Sequence, residues 1–186
     1  MLVLEKKMTW KEFRELEIDD NDKHIYELIG GIPIRRTSPG LKHQRIARRL
    51  SYALGNFLET KPLGEYFYAL TDVYFDNLNG LVPDGAFISK DKYSLLENDE
   101  YIAGPPDIII EIISPGTVKR DRVEKKNICE KFAVKEYWLI DPANKTVEIF
   151  AIKNNVYELQ LFLEIKGKLT SGMLPGFEMD VEELFD

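Results

Sequence analysis

The chain has 186 residues, 44% hydrophobic and 31% charged, and its 25 Lys and Arg against 32 Asp and Glu leave a net charge of −7. These proportions suit a folded domain and exclude a disordered tail, while no apolar run approaches the ~18 residues of a membrane span. One cysteine excludes a disulfide framework and a thiolate zinc site, and with only two histidines any metal must be held mainly by carboxylates.

Residues 1–7 place an apolar stretch ahead of their charges and are too short for an export signal, so they read as a flexible tail on a cytoplasmic protein. Thr9-Trp10-Lys11-Glu12 has the form of a capping box and predicts a helix over 10–17. Tyr26 to Ile34 flanks a Gly30-Gly31 pair with two extended arms, the pattern of a hairpin, with Glu27 on its first arm. From Leu28 to Leu58 there is no acidic residue but six Lys and Arg, so +6 in this window leaves −13 for the rest of the chain. Ile46, Leu50, Ala53 and Phe57 recur at helical spacing and predict a helix over 41–58. Arg45, Arg48, Arg49 and Tyr52 share a neighbouring flank, either a solvated face or a phosphate-tracking surface.

Strands are expected at 65–76 and 81–88 with a turn at Asp76 to Gly80, followed by a polar loop over 89–106 with room for one helical turn. Asp107 to Ser114 is apolar on both parities, the mark of a strand covered on both faces. A helix over Asp121 to Ala133 follows, then a meander of Glu136–Ile140, Thr146–Ile152 and Val156–Leu163, a loop at Gly172 to Gly176 and a short helix at 180–185. Strands interleaved with helices and no internal repeat predict one α/β domain over 1–186, a mixed sheet flanked by helices.

Glu111 stands out because a carboxylate amid five isoleucines is costly to bury unpaired, so a cation should meet it: a Lys or Arg, or a divalent metal. Lys125 lies at the centre of the apolar stripe of the next helix, with Asp121, Ile128, Cys129 and Phe132 to either side, and can approach Glu111 if that helix packs on the sheet. Asp84, near the start of the 81–88 strand, reads as a strand-entry residue on its own. Together with Glu111 and Lys125 it supplies the parts that bind Mg²⁺ through oxygen and orient a water for phosphodiester hydrolysis.

Pro83-Asp84 followed by Glu111-Ile112-Ile113 resembles the PD-(D/E)XK nuclease superfamily. The fuller series resembles its Uma-two branch of small endonucleases. It comprises Met8 to Phe13, Tyr26 to Gly31, Ser38-Pro39 with His43-Gln44, Glu111 to Pro115, Asp121 with Lys125, Glu136 to Pro142 and Leu174 to Gly176. The resemblance implies a restriction-endonuclease-like core, with an N-terminal helix and hairpin and a C-terminal β-meander. It implies that Asp84 and Glu111 hold a catalytic Mg²⁺ or Mn²⁺, that the Ile112 backbone carbonyl and Glu27 are further ligands, and that Lys125 is the catalytic lysine, since Ile113 occupies the usual lysine position of the motif. Cys129 stands where that family has tyrosine. The expected activity is metal-dependent cleavage of DNA. Arg45, Arg48 and Arg49 would contact the backbone, binding would be weak at physiological salt, no membrane would be involved, and two copies would pair. The alternatives are a nuclease-fold module that binds nucleic acid or protein without cutting, and a phosphoesterase acting on another substrate.

Overall fold

The computed structural model describes residues 7–18, 21–22, 24–36, 38–68 and 70–186; residues 1–6 of the expected tail lie outside them. In chain order the elements are α1 (Trp10–Arg14), β1 (Ile25–Ile29), β2 (Ile32–Arg36), α2 (Leu41–Thr60), β3 (Gly64–Tyr68), β4 (Val73–Asp76), β5 (Asn79–Leu81), β6 (Gly85–Ser89) and β7 (Ile108–Ile112). A π-helical segment, Arg120–Lys125, runs into α3 (Lys126–Lys131), and β8 (Glu136–Asp141), β9 (Thr146–Lys153), β10 (Val156–Glu164), β11 (Lys168–Thr170), β12 (Glu178–Asp180) and α4 (Val181–Phe185) complete the chain.

A six-stranded sheet of order β10-β9-β8-β7-β6-β3 forms the centre, antiparallel except for the β7–β8 pair, beside a four-stranded sheet of order β2-β1-β5-β4 and the small β11-β12 ribbon. Every residue of β7 is buried. Ile108, Ile110 and Ile112 pack against Ile46, Leu50 and Leu54 of α2, while Ile109 and Ile113 join Ile128 and Cys129 of α3 and Val73, Phe75 and Leu81 of the smaller sheet. The isoleucine run thus has apolar cover on both faces, the condition under which a strand loses polar alternation.

The hairpin and its turn are as the glycine pair implies: Gly30 and Gly31 both take positive φ, and Glu27 lies on β1 opposite Ile34. Thr9 and Glu12 form the capping box, but α1 ends at Arg14, short of residue 17. Trp10 lies flat on Gly80, where a Cβ would stand 2.0 Å from the indole Cζ3, so this glycine lets α1 dock on β5.

Two expectations need correction. Residues 65–76 and 81–88 are not two continuous strands. β3 belongs to the large sheet, the β4–β5 hairpin to the small one, and β6 returns to the large sheet, with a tighter turn at Asn77-Leu78. Pro83 lacks the N–H that a continuing ladder needs, and the chain changes sheets at Val82-Pro83-Asp84. Asp84 therefore lies in the break before β6, its N–H donating to the Ile110 carbonyl at 3.1 Å, and not within a strand. The helical turn expected within 89–106 is a 3-10 segment at Lys90–Leu96, whereas the ribbon β11-β12, which the sequence did not predict, pairs short segments on either side of the Gly172 to Gly176 loop.

Candidate active site

Four carboxylates and three cations meet where the two sheets adjoin. Glu27 comes from β1 of the smaller sheet, Glu111 from β7 of the larger, Asp84 from the crossover, and Asp121 and Lys125 from the π-helical segment; Arg36 ends β2 and Arg120 opens the π segment. Such a segment widens the helix locally and recurs at functional sites. The Tyr137 hydroxyl anchors it by donating to the Asp121 carbonyl at 2.7 Å.

Lys125 is fully buried, its Nζ 2.7 Å from Glu27 Oε1, 2.9 Å from Glu111 Oε1 and 3.7 Å from Asp121 Oδ1. The structure thus brings Lys125 to Glu111, and adds Glu27 from the N-terminal hairpin. Glu27 Oε1 also accepts from the Val82 N–H at 2.9 Å. Arg36 Nη2 donates to the Val82 carbonyl at 2.6 Å, Nη1 lies 3.6 Å from Asp84 Oδ1 and Nε 4.0 Å from Glu27 Oε2, while Arg120 reaches within 3.9 Å of the same Glu27 oxygen. Asp84 Oδ2 accepts from the Ile112 N–H at 2.8 Å and lies 3.0 Å from His43 Nε2.

The electrostatics follow from burial and crowding. Burial pushes the Glu111 carboxyl well above its ordinary range, and Asp121, Asp84 and Glu27 push it further, against the pull of Lys125. Burial also raises Asp121, with Lys125 and a Thr117 hydrogen bond opposing. Burial works against the Lys125 ammonium, yet Glu111, Glu27 and Asp121 outweigh it and hold the lysine protonated. Asp84 goes the other way: burial raises it, but the His43 hydrogen bond and charge, with Arg36 and Lys125, bring it below the usual value.

Four acids against three permanent cations leave the cluster one positive charge short. Glu27 Oε2, Glu111 Oε2 and Asp121 Oδ1 are buried without a hydrogen-bond partner, the signature of carboxylates that can accept a further cation. Among the described residues no three His, Cys, Asp or Glu side chains stand ready arranged as a metal cage; the Lys125 ammonium is what now lies between Glu27 and Glu111. The all-oxygen donor set suits a hard divalent ion such as Mg²⁺.

A cleft of about 900 Å³ opens between the β1–β2 hairpin, α1 and α2, and Asp84, His43 and Arg36 are on its wall. Glu27, Glu111, Asp121 and Lys125 lie behind that wall. The arginine stripe of α2 divides. Arg48 lines the cleft with its guanidinium 5.9 Å from the Tyr52 ring centre, and Arg45 is exposed outside it. Arg49 turns to the chain end, donating to the Leu184 carbonyl at 3.3 Å and the Asp186 carbonyl at 2.7 Å.

The family model Uma2, described as "Putative restriction endonuclease", matches residues 10–182. The chain belongs to the Uma2 family. It is also similar to the crystal structure of a nuclease, described there as putative and assigned to DUF820, from Anabaena variabilis. The two share 23% identity and a TM-score of 0.77 over 96% of this chain and 97% of that one, a likeness of fold. No curated protein matches. The mixed sheet flanked by helices is accordingly the restriction-endonuclease-like nuclease fold.

Within this Uma2 chain, His43, Arg36 and Arg120 are the members that sequence reasoning did not assign to the site. His43 carried a signal: it sits three residues before Ile46, on the apolar face of α2, where a polar ring needs a partner. Arg36 and Arg120 carried none, because their carboxylate partners are remote in sequence.

Proposed function

We propose that this chain is one nuclease domain over residues 1–186 that hydrolyses DNA phosphodiester bonds with a divalent ion, Mg²⁺ or Mn²⁺, held by Asp84 and Glu111. Glu27 and the Ile112 backbone carbonyl would complete the ligand set. The observation that carries this reading is the unpartnered, buried Glu111 Oε2 beside Lys125, in a cluster with more carboxylates than permanent cations. Membership of a family described as putative restriction endonucleases supports a nuclease-type hydrolase; the metal and the DNA substrate are what we add.

The bound ion would supply Lewis acidity toward the phosphoryl group and a lowered pKa for its water. The protein's own part is distributed among named side chains. His43 holds Asp84 in one orientation through Nε2, and the Ile112 N–H fixes the same oxygen. Lys125, protonated and fixed by Glu27 and Glu111, is the donor that offsets negative charge developing on the phosphoryl oxygens. Arg48 receives the phosphate backbone at the mouth of the cleft, with Arg45 outside it; Arg49 is committed to the C-terminal carbonyls. A weak complex at physiological salt, a paired assembly and a cytoplasmic setting belong to the same proposal.

One observation favours a second reading, a nuclease-fold protein that binds without cutting: Lys125 and Glu111 are fully buried and lie behind the cleft wall. Plasmid DNA incubated with the protein in Mg²⁺, Mn²⁺ or EDTA separates the two. Nicking that needs metal and disappears in Asp84→Ala and Glu111→Ala supports the nuclease; nicking that survives in both variants or in EDTA rejects the assignment, and its absence in wild type favours the binding module. Metal should also raise the wild-type melting temperature by mass action and leave those variants unmoved.

A further inference from the structure

The wall of the cleft that leads to Asp84 is not built like a duplex-tracking surface. Among the described residues, its three arginines are matched by three aspartates, Asp22, Asp72 and Asp84. Arg14 is paired with Asp72 and Glu100, and Arg36 with Asp84, which leaves Arg48 as the arginine of that wall without a carboxylate partner among the described residues. Affinity for a continuous duplex comes mainly from cations neutralising phosphates, and among the described residues of this wall Arg48 alone supplies one, with Arg45 exposed outside it.

What the mouth offers instead is aromatic surface. Tyr52 is 62% exposed and Tyr68 64% exposed; both line the cleft, Tyr52 under the Arg48 guanidinium and Tyr68 stacked on Tyr66 with ring centres 6.3 Å apart. Large exposed rings beside a cleft can serve as platforms on which unpaired bases stack, whatever the base. Asp84, its side chain 8% exposed, lies at the floor of a concavity of about 900 Å³, inside the range of roughly 300–1,000 Å³ that encloses small-molecule-sized groups. A single strand is flexible enough to bend into a concavity of that size and bring a phosphate to Asp84.

We propose that the cleft takes unpaired DNA: bases stack on Tyr52 and Tyr68, Arg48 holds a phosphate between them, and the strand is led down to Asp84. This rests on the nuclease reading of the same site and names its substrate class as single-stranded.

Fluorescence anisotropy with a labelled oligothymidylate and with a duplex of equal length, on the full chain in EDTA, tests binding apart from cleavage. The single strand should bind at least about tenfold more tightly than the duplex, and Tyr52→Ala and Tyr68→Ala should each weaken it about tenfold without changing the melting temperature. Tyr93→Ala, in the 3-10 segment away from the cleft, should change nothing. Equal or tighter duplex binding, or tyrosine variants that bind the single strand as wild type does, overturns the proposal. Metal-dependent plasmid cleavage is scored separately: cleavage without single-strand preference overturns this inference and keeps the nuclease, and tyrosine-dependent single-strand binding without cleavage keeps this inference and rejects the nuclease.

Discussion

Lys125 Nζ lies 2.7 Å from Glu27 Oε1, joining the penultimate turn of a helical segment to a hairpin from the start of the chain. The same ammonium is 2.9 Å from Glu111, so one buried cation neutralises carboxylates from two sheets. Lys125→Met keeps the stem's packing and strands those acids. Metal-free stability in urea should fall by about 3–5 kcal/mol. If Lys125 also serves the chemistry, metal-dependent nicking should drop about 10²-fold even where Mg²⁺ restores the fold. Lys126→Met is the comparison; its Nζ sits 3.8 Å from the Phe150 ring centre, and losing that contact should cost only about 0.5–1 kcal/mol. A Lys125→Met protein as stable as wild type would show that the pairing contributes nothing.

Glu111 has a raised pKa in the folded protein, chiefly through burial. The native state therefore holds a proton that the unfolded chain releases near pH 4.3, and stability declines as pH rises through that window toward the folded value. Glu111→Gln removes this decline. In the absence of metal its stability relative to wild type should be neutral at pH 4 and become favourable at pH 8, read as the shift in urea midpoint at each pH. A relative stability that does not change with pH, or that falls, would contradict the assigned direction.

Asp84 shifts the opposite way, with His43 the chief lowering partner. A depressed carboxyl contributes stability that is present above its unfolded value and is lost as pH falls through the folded one. His43→Ala should cost about 1–3 kcal/mol at neutral pH, and its acid unfolding should show a shallower loss, because less of the Asp84 contribution is there to lose. His43→Gln, which can still donate to Asp84 Oδ2, should recover part of it. Carbon-detected titration of the Asp84 carboxyl reads the change directly, and an unmoved midpoint in His43→Ala would remove the histidine from the site's electrostatics.

Arg48 and Arg49 are neighbours in sequence with different partners. Arg48→Ala should flatten the salt dependence of single-strand binding by about 0.7 log unit, the effect of one phosphate contact, and leave the melting temperature alone. Arg49→Ala should leave the slope and lower stability by about 1.5–3 kcal/mol by releasing the Leu184 and Asp186 carbonyls. Matching slopes for the two variants would mean that both or neither touch the phosphate backbone.

What the sequence disclosed was whatever local periodicity encodes. The Gly30-Gly31 turn, the isoleucine strand with its one carboxylate and the central position of Lys125 on its helix each depend on neighbours a few residues away. The winding of Arg120–Lys125 is π-helical, yet Asp121 still falls beside Lys125, so the expectation from an α-helical wheel carried over. Asp84 was read as a strand-entry residue, which it is for β6, but the break just before it was missed, because a run with strand composition does not reveal that it changes sheets. Arg36 was read as one charge in a basic window. Only the fold places it against Asp84 and Glu27, where it is held by buried acids and has no free charge for a ligand outside.

The passage of the chain from β5 to β6 across Val82-Pro83-Asp84 has a mechanical meaning. Glu27 rides on the smaller sheet and Glu111 on the larger, so the site is a suture between the two sheets, beside the apolar core they share. Loosening the β1–β2 hairpin would draw one ligand group away from the other and expose Lys125 to water, and anything gripping both carboxylates would slow that opening. Amide exchange in β1, which carries Glu27, and in β5, which leads into Val82, is therefore a gauge of how tightly the seam is closed.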